Sequence, residues 1–395
     1  MRFDHFLFFC APAAPAPAKK PALGLAGLLL WVCCLMWAGA VPAAQSQTPT
    51  NAPAGKLKAK AGAKPGKSAT AAKAGPSYAK RADTMAWADE IAKRQQLDPA
   101  WVKKNLAQAR LIPSIQKLIL PATQTVKKNW HAYQARFIEP RRIQAGVKFW
   151  QAHQTLLELA EKTYGVPAEM IVGIMGVETF YGQHMGTFRV LDALSTLAFD
   201  FPKEHPRAAE RQAFFLRELE QYFVLTAREK IKPISLLGSY AGAMGLPQFM
   251  PSSWEKFAVD FSGDGKINLF NSTADAIGSV ANYFKAFAWQ TGMPTHYPVQ
   301  FDAQRVDMDG LMAPDILPTF SVASFTAKGA ILEGEALNHA GPLALIELLN
   351  GDEAPTYVAG TENFYAITRY NWSSYYAMAV IDLGQAVARE MPSKP

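Results

Sequence analysis

Glu178 sits in the run Met170-Ile-Val-Gly-Ile-Met-Gly-Val-Glu-Thr-Phe-Tyr-Gly182. Wound as a helix, the run puts Ile171, Ile174 and Met175 on one face, and Glu178 takes the next place on that face. A carboxyl group aimed at apolar packing is unusual, because carboxylates are rarely buried without a partner. Desolvation raises a carboxyl pKa, and an acid still protonated near neutral pH can act as a general acid. A plainer reading also fits: a Glu at a helix end that turns out to solvent or pairs with a base. Position alone does not choose between them.

A second candidate is Asp260-x-Ser262-x-Asp264-Gly265-Lys266-Ile267-Asn268, which matches the start of an EF-hand loop. Asp260, Ser262 and Asp264 supply side-chain oxygens, Gly265 makes the sharp turn, and Lys266 offers its carbonyl. Asn271 stands at the twelfth place, where the bidentate Glu belongs. A metal-free Asp-Gly turn is the alternative. Asp307-x-Asp309-Gly310 lacks the rest of such a loop and reads as a turn. His184, His296 and His339 have no metal-ligand spacing and read as structural or surface residues. The sequence contains neither a phosphate-binding Gly loop nor a nucleophile elbow.

The elements that must position these groups are mostly helical. Residues 87–94 form one amphipathic segment, and Asp98-Pro99 is a good helix start, with Asp as N-cap and Pro in the first turn. A long helix over 143–164 breaks at Gly165-Val-Pro167. Pro167 opens the Glu178 helix, and Gly182 and Gly186 are expected to end it. Further helices are expected over 190–199, 204–228, 272–287 and 373–389, with Ser252 or Ser253 capping another. Between 293 and 360, Pro, Gly and Asp become frequent. There we expect a small α+β insertion, with a β-prone piece over 320–325 and a short helix over 343–349.

The 395 residues are 49% hydrophobic and 18% charged, enough for one large or two ordinary domains. Residues 1–81 carry a net charge of +10, whereas 82–395 carry −3. The folded part is slightly acidic, so the overall +7 is no sign of a nucleic-acid-binding domain. Lys19-Lys20 precedes an uncharged apolar stretch over 21–40, followed by small residues, as in an export signal. Export of a soluble product is our first reading. An uncleaved anchor is an alternative, since about 20 apolar residues just span a bilayer. Lipidation at Cys33 or Cys34 is another, although Leu30-Trp-Val-Cys33 lacks the small residues expected there. Cys10, Cys33 and Cys34 all lie in or before this stretch, so a processed chain has no thiol chemistry. We divide the chain into 1–44 (signal peptide or N-terminal anchor), 45–81 (disordered basic linker), 82–292 (helical core and accessory helices with the loop 260–275), 293–360 (small α+β subdomain) and 361–395 (C-terminal helices completing the core).

Three stretches together resemble the lytic murein transglycosylase B family of bacterial cell-wall enzymes. They are Gly176-Val-Glu-Thr-Phe-Tyr-Gly182, Gly238-Ser-Tyr-Ala-Gly-Ala-Met-Gly-Leu-Pro-Gln-Phe-Met-Pro-Ser-Ser253 and Asp260-Phe-Ser-Gly-Asp-Gly-Lys-Ile-Asn268. Phe364-Tyr-Ala-Ile-Thr-Arg-Tyr-Asn371 follows in the expected order, and the likeness covers nearly all of 82–395. The resemblance implies a mainly α (α+β) fold: a lysozyme-like helical core with an accessory helical domain and a small β-containing insertion. It implies non-hydrolytic cleavage of the β-1,4 bond between N-acetylmuramic acid and N-acetylglucosamine, leaving a 1,6-anhydro ring. Peptidoglycan glycan strands are then the partner, and the periplasm the compartment. Glu178 matches the family's single catalytic acid/base. Ser239, Gln248, Tyr283, Tyr370, Asn371 and Tyr376 match positions lining its glycan groove, with Tyr133 as a further match. Ca²⁺ is the implied structural ion, and Asp275 the implied later ligand, one residue further along than usual.

Glycoside cleavage ordinarily needs two carboxylates. Asp192 and Asp200 are candidates for a second, but each fits a helix cap or surface position better. One carboxylate suffices if the substrate's own hydroxyl is the nucleophile. The small residues of 239–245 form either a simple loop or a groove wall, with Ser239 and Gln248 donating hydrogen bonds to the sugar. Tyr283, Tyr370, Tyr375 and Tyr376 suit sugar faces, although aromatics of helical proteins are mostly core. A muramidase using water and a catalytically silent glycan-binding scaffold remain the alternatives.

Overall fold

The computed structural model describes residues 74–121 and 127–392. The expected export segment and most of the basic linker lie outside the described residues. The chain opens with helices α1 (Ala82–Arg94), α2 (Pro99–Leu106), α3 (Pro113–Leu118), α4 (Trp130–Gln134), α5 (Pro140–Tyr164) and α6 (Ala168–Thr179). The two-residue strands β1 (Phe188–Arg189) and β2 (Leu237–Gly238) pair across α7 (Val190–Phe199) and α8 (Ala208–Arg228). Then come α9 (Pro251–Phe257) and α10 (Thr273–Ala286). The insertion holds β3 (His296–Pro298), β4 (Gln300–Phe301), α11 (Met308–Met312), α12 (Val322–Ala327), β5 (Ala330–Ile331), β6 (Ala344–Asn350) and β7 (Glu353–Gly360). Helices α13 (Glu362–Tyr370) and α14 (Ser374–Arg389) close the chain.

Helix α6 is the centre of the main core. Every residue from Met170 to Thr179 is buried, so it is apolar on all sides rather than on the single face that the periodicity suggests. Helix α14 crosses it in the opposite direction at very close range. A Cβ on Gly173 would lie 2.3 Å from the Val380 carbonyl oxygen, and one on Gly384 would lie 2.2 Å from that of Glu169. Helix α5 packs on the same unit. Glu139 caps it by accepting from the Arg141 N–H, Pro140 occupies its first turn, and Gly165 ends it in the left-handed conformation.

Several boundaries differ from expectation. Helix α6 stops at Thr179, before either glycine. Phe180 and Tyr181 both take left-handed conformations (φ 51° and 56°), and their N–H groups return to Gly176 and Met175. Helix α9 is preceded by Met250 and starts at Pro251. Ser252 does not cap it; its N–H and Oγ–H both donate to the Glu218 carboxylate on α8, at 3.0 and 2.6 Å. The folded unit also begins before residue 82. Tyr78 is buried against Phe199, its hydroxyl donates to Asp200 at 2.6 Å, and Arg81 pairs with the same carboxylate at 2.7 Å. Backbone bonds from Gly75 to Leu111 and from Tyr78 to Ala109 help to hold this end of an otherwise polar stretch on the fold.

The insertion has its own apolar cluster, which includes Tyr297, Leu311, Phe325, Leu343 and Leu345. Its antiparallel sheet runs β3-β7-β6. Two local expectations fail here. Residues 343–349 form strand β6 rather than a helix, and 320–325 lead into helix α12, capped by Ser321. Leu345 enters the small cluster, while Ile346 and Leu348 enter the main core. A strand buried on both faces shows no polar alternation and cannot be told from a helix by pattern.

The close crossing of α6 and α14 makes a test. Ala is the better helix former, yet Gly173→Ala should destabilise the protein by about 1–3 kcal/mol, because the helices must part. Urea denaturation reads this. A variant as stable as the parent would show that the crossing has slack.

Candidate active site

Glu178 lies one residue from the end of α6, and only 9% of its surface is exposed. Among the described residues no cation pairs with it. Burial pushes its pKa from 4.5 to about 8, and the only opposing influence is the Tyr376 hydroxyl, which donates to Oε1 at 2.5 Å. The side chain is therefore protonated at neutral pH and holds one hydrogen bond that favours the ionised form. Such a group can give a proton and can also take one back.

Tyr376 comes from α14, whose approach is set by the two glycines. Its ring stacks on Tyr370, with centroids 6.4 Å apart and planes 15° apart. The Tyr370 hydroxyl donates to the Pro247 carbonyl at 2.6 Å, and burial followed by the Glu178 charge raises its pKa. The Tyr283 ring lies 4.7 Å from that of Tyr370, and its hydroxyl donates to the Arg369 carbonyl at 2.5 Å. Tyr376 is fully buried and Tyr283 nearly so. They shape the site from behind. Tyr370 and Asn371 are half-buried at the end of α13.

The loop over 239–250 is fastened to the end of the Glu178 helix. Thr179 donates to the Leu246 carbonyl at 3.0 Å and accepts from the Gly182 N–H at 3.0 Å. Gly242 and Gly245 take left-handed conformations, and a Cβ on Gly245 would meet the Leu269 carbonyl at 2.5 Å. Ser239 Oγ accepts from the N–H groups of Ala243 and Ala241, at 3.0 and 3.3 Å. Gln248 departs from its expected donor role. Its amide donates to the carbonyls of Gly245 and Met185, at 2.9 and 3.2 Å, so it can offer a ligand its side-chain oxygen. Tyr133 packs among Trp130, Phe137 and Tyr375 on the α4 side, and none of these contacts reaches Glu178. Tyr375 bonds both backbone groups of Leu349 and is structural.

Neither candidate for a second carboxylate joins the site. Asp192 pairs with Arg189 at 2.6 Å and accepts from the Arg110 N–H, while Asp200 holds Tyr78 and Arg81. No carboxylate contributes to the shift at Glu178. A residue that the sequence did not single out is Arg142 of α5. Its buried guanidinium donates to the Gly176 carbonyl at 2.6 Å and lies 4.6 Å from the centre of the Phe180 ring. It steadies the C-terminal end of α6, where a cation suits the helix dipole. An Arg one place after another at a helix start carries no signal of this.

In the loop over 260–275, Asp260 gathers the N–H groups of Gly263, Asp264 and Gly265 and the Ser262 hydroxyl. Asp264 turns back to the Lys266 N–H at 2.9 Å. These oxygens are exposed and suit a hard cation such as Ca²⁺. Asp275 does not fit the same role. It is fully buried, and its oxygens accept from the N–H groups of Phe261, Ser262 and Asn268. It closes the loop through the backbone. Among the described residues no three acidic, His or Cys side chains gather tightly enough to hold a metal unaided.

The model of the transglycosylase SLT domain family matches residues 80–385. The membrane-bound lytic murein transglycosylase B of Escherichia coli (strain K12) is 40% identical over 326 residues, which cover 80% of this chain and 85% of that protein. The soluble lytic transglycosylase SltB1 of Pseudomonas aeruginosa shares 40% identity, with a TM-score of 0.69 over 78% of this chain and 98% of its own. The Escherichia coli lytic transglycosylase Slt35, solved in complex with calcium, shares 38% identity, with a TM-score of 0.68 over 80% of this chain and 95% of its own.

Tyr376 favours the ionised form of Glu178, so Tyr376→Phe should raise that pKa further. The basic limb of kcat/KM against pH should move up by about one unit. A shift to lower pH would remove Tyr376 from the account. Stability has a matching sign. With a folded pKa of about 8 against 4.5 unfolded, the contribution of neutral Glu178 is complete below about pH 4.5 and lost as pH rises through about 8. Glu178→Gln should flatten that decline, read as urea midpoints at about pH 5 and about pH 9.

Proposed function

The chain belongs to the transglycosylase SLT domain family and is a peptidoglycan lytic transglycosylase of the B type, and on that footing we propose that Glu178 is its only acid/base. The supporting observation is a buried carboxyl group, neutral at pH 7, with a phenol on one oxygen and no carboxylate acting on it. Protonated Glu178 donates to the oxygen of the β-1,4 bond as C1 of the muramoyl residue separates from it. The resulting Glu178 carboxylate takes the proton of the 6-hydroxyl while O6 bonds to C1. The 1,6-anhydro ring closes and Glu178 is again protonated. The 2-acetamido oxygen assists at C1 between the two steps. No water enters the balance, and a dry site favours ring closure over hydrolysis.

Tyr370, Asn371, Ser239 and Gln248 are our assignment for the groove that receives the glycan. Tyr376 and Tyr283 support it from within, and Tyr133 is left as a packing residue of the α4 side. The substrate and the apolar segment over 21–40 argue for the periplasm. The Escherichia coli relative is named membrane-bound, and attachment of this chain would have to come from its N-terminal region. Among the described residues no helix is long and apolar enough to cross a membrane.

The loop over 260–275 takes Ca²⁺ in this reading, through Asp260, Ser262, Asp264 and the Lys266 carbonyl, with Asp275 as the clamp that holds their backbone. The ion steadies the fold next to α10 and takes no part in the chemistry. The calcium complex of Slt35 favours the same ion.

Mass spectrometry of muropeptides released from purified sacculi by residues 74–395 tests the reaction. Anhydromuramoyl ends, each one water lighter than a reducing end, are expected. Reducing ends would mean a muramidase. Glu178→Gln should abolish release while glycan binding persists, and retained lysis would end the one-carboxylate mechanism. For the metal, added Ca²⁺ should raise the melting temperature and Asp264→Ala should cancel the rise. A parent protein indifferent to Ca²⁺ would exclude the site.

A further inference from the structure

Glu218 on α8 is a buried carboxylate that the chemistry does not use, with only 3% of its surface exposed. Glu220, on the same helix, is buried as well, but Arg94 pairs with it at 2.7 Å. Among the described residues Glu218 has no such ion pair. Both of its oxygens are given to one residue. Oε1 accepts from the Ser252 hydroxyl at 2.6 Å, and Oε2 accepts from the Ser252 N–H at 3.0 Å. Burial raises its pKa, and the two Ser252 bonds, followed by the charges of Lys256 and Arg217, oppose the rise. A carboxylate kept dry without a close cation is destabilising, and an apolar contact would close the same space at less cost. The bond to Ser252 therefore calls for a use.

Ser252 follows directly on the stretch that walls the groove, and that stretch is not relaxed. Gln248 has a φ of 51°, left-handed and without the freedom of a glycine. Such a conformation persists only where the chain on both sides is held. On the N-terminal side, Thr179 holds the Leu246 carbonyl at 3.0 Å and Tyr370 holds the Pro247 carbonyl at 2.6 Å. On the C-terminal side, the Phe249 ring packs 5.7 Å from Tyr283 and 5.8 Å from Tyr370. Beyond Pro251, Glu218 grips Ser252. The two clamps bracket Gln248, one through α6 and one through α8.

We propose that Glu218 is a positioning residue: by holding Ser252, it keeps residues 247–250 in the shape that lets Gln248 and Tyr370 receive the glycan. This rests on the groove assignment above and adds to it a residue that touches no sugar. Glu178 and Tyr376 are carried by α6 and α14, which the Glu218–Ser252 pair does not join. The clamp therefore acts on binding and not on the proton transfers, and no covalent step is involved.

Steady-state kinetics of anhydromuramoyl release from solubilised glycan strands test this. Glu218→Gln keeps the shape but turns one acceptor into a donor, so one of the two bonds to Ser252 is lost. KM should rise about tenfold, the worth of one hydrogen bond to a charged group, with kcat little changed. Ser252→Ala, the milder change, should raise KM in the same direction, and it decides the matter where Glu218→Gln does not fold. The double variant should be no worse than Glu218→Gln alone, because both changes break the same contact. A merely loosened fold behaves differently: it removes active enzyme, which lowers kcat and leaves KM alone. With an active parent, an unchanged KM in the single variants, or effects that multiply in the double variant, overturns this proposal alone. A parent that releases no anhydromuramoyl ends overturns the transglycosylase reading, and this proposal with it.

Discussion

A carboxyl group carried on a helix buried all round is the constraint around which this fold is arranged. An isolated carboxylate at that depth is costly, and no cation is supplied to Glu178. The acid therefore stays neutral, and the environment that keeps it neutral has to be assembled from several distant parts of the chain. The decisive part is α14. Tyr376 can reach Oε1 only because Gly173 and Gly384 let two antiparallel helices approach until backbone meets backbone. A side chain at either position would separate the acid from its one hydrogen bond.

The end of α6 shows the same logic at shorter range. Glu178 is followed by a helix stop made of two consecutive left-handed aromatic residues, an arrangement with some backbone strain. Arg142 holds it from one side, through the Gly176 carbonyl and the Phe180 ring. Thr179 holds it from the other, by fixing the loop of Ser239 and Gln248 to the helix end. Glu178 and the loop beside it thus share one anchor.

What could be read from the sequence follows from how local each signal is. Helix α7 is found at its observed limits, and Asp98 and Pro99 act as expected, because capping is decided within a few residues. Glu178 stood out because a carboxyl inside an apolar run is an anomaly that needs no tertiary knowledge. The failures are non-local. Strand β6 looks helical because two separate cores cover its two faces. Arg142 carries no mark in its own neighbourhood, since its worth lies in a helix end 34 positions away. The direction of the Gln248 amide depends on carbonyls brought close by folding, which residue type alone does not show. Asp275 lies where a ligand is wanted in the sequence, but in space three backbone N–H groups claim it.

A single residue that must serve first as acid and then as base faces opposing demands. Burial alone would make an excellent acid and a poor base precursor, because the anion left after proton transfer would be stranded in a dry site. Hydrogen bonding alone would make a stable anion with no proton to give at pH 7. Glu178 has both influences, and burial is the larger, so the resting state is the acid. Tyr376 narrows the gap to the anion without closing it. It does so with a neutral phenol. A cation in its place would lower the pKa much further and leave the acid form scarce. Two carboxylates divide these demands between two environments; with one, the balance has to be struck within a single environment. That is why the partner of Glu178 is a tyrosine, fully buried and delivered by the helix that packs most tightly against its own.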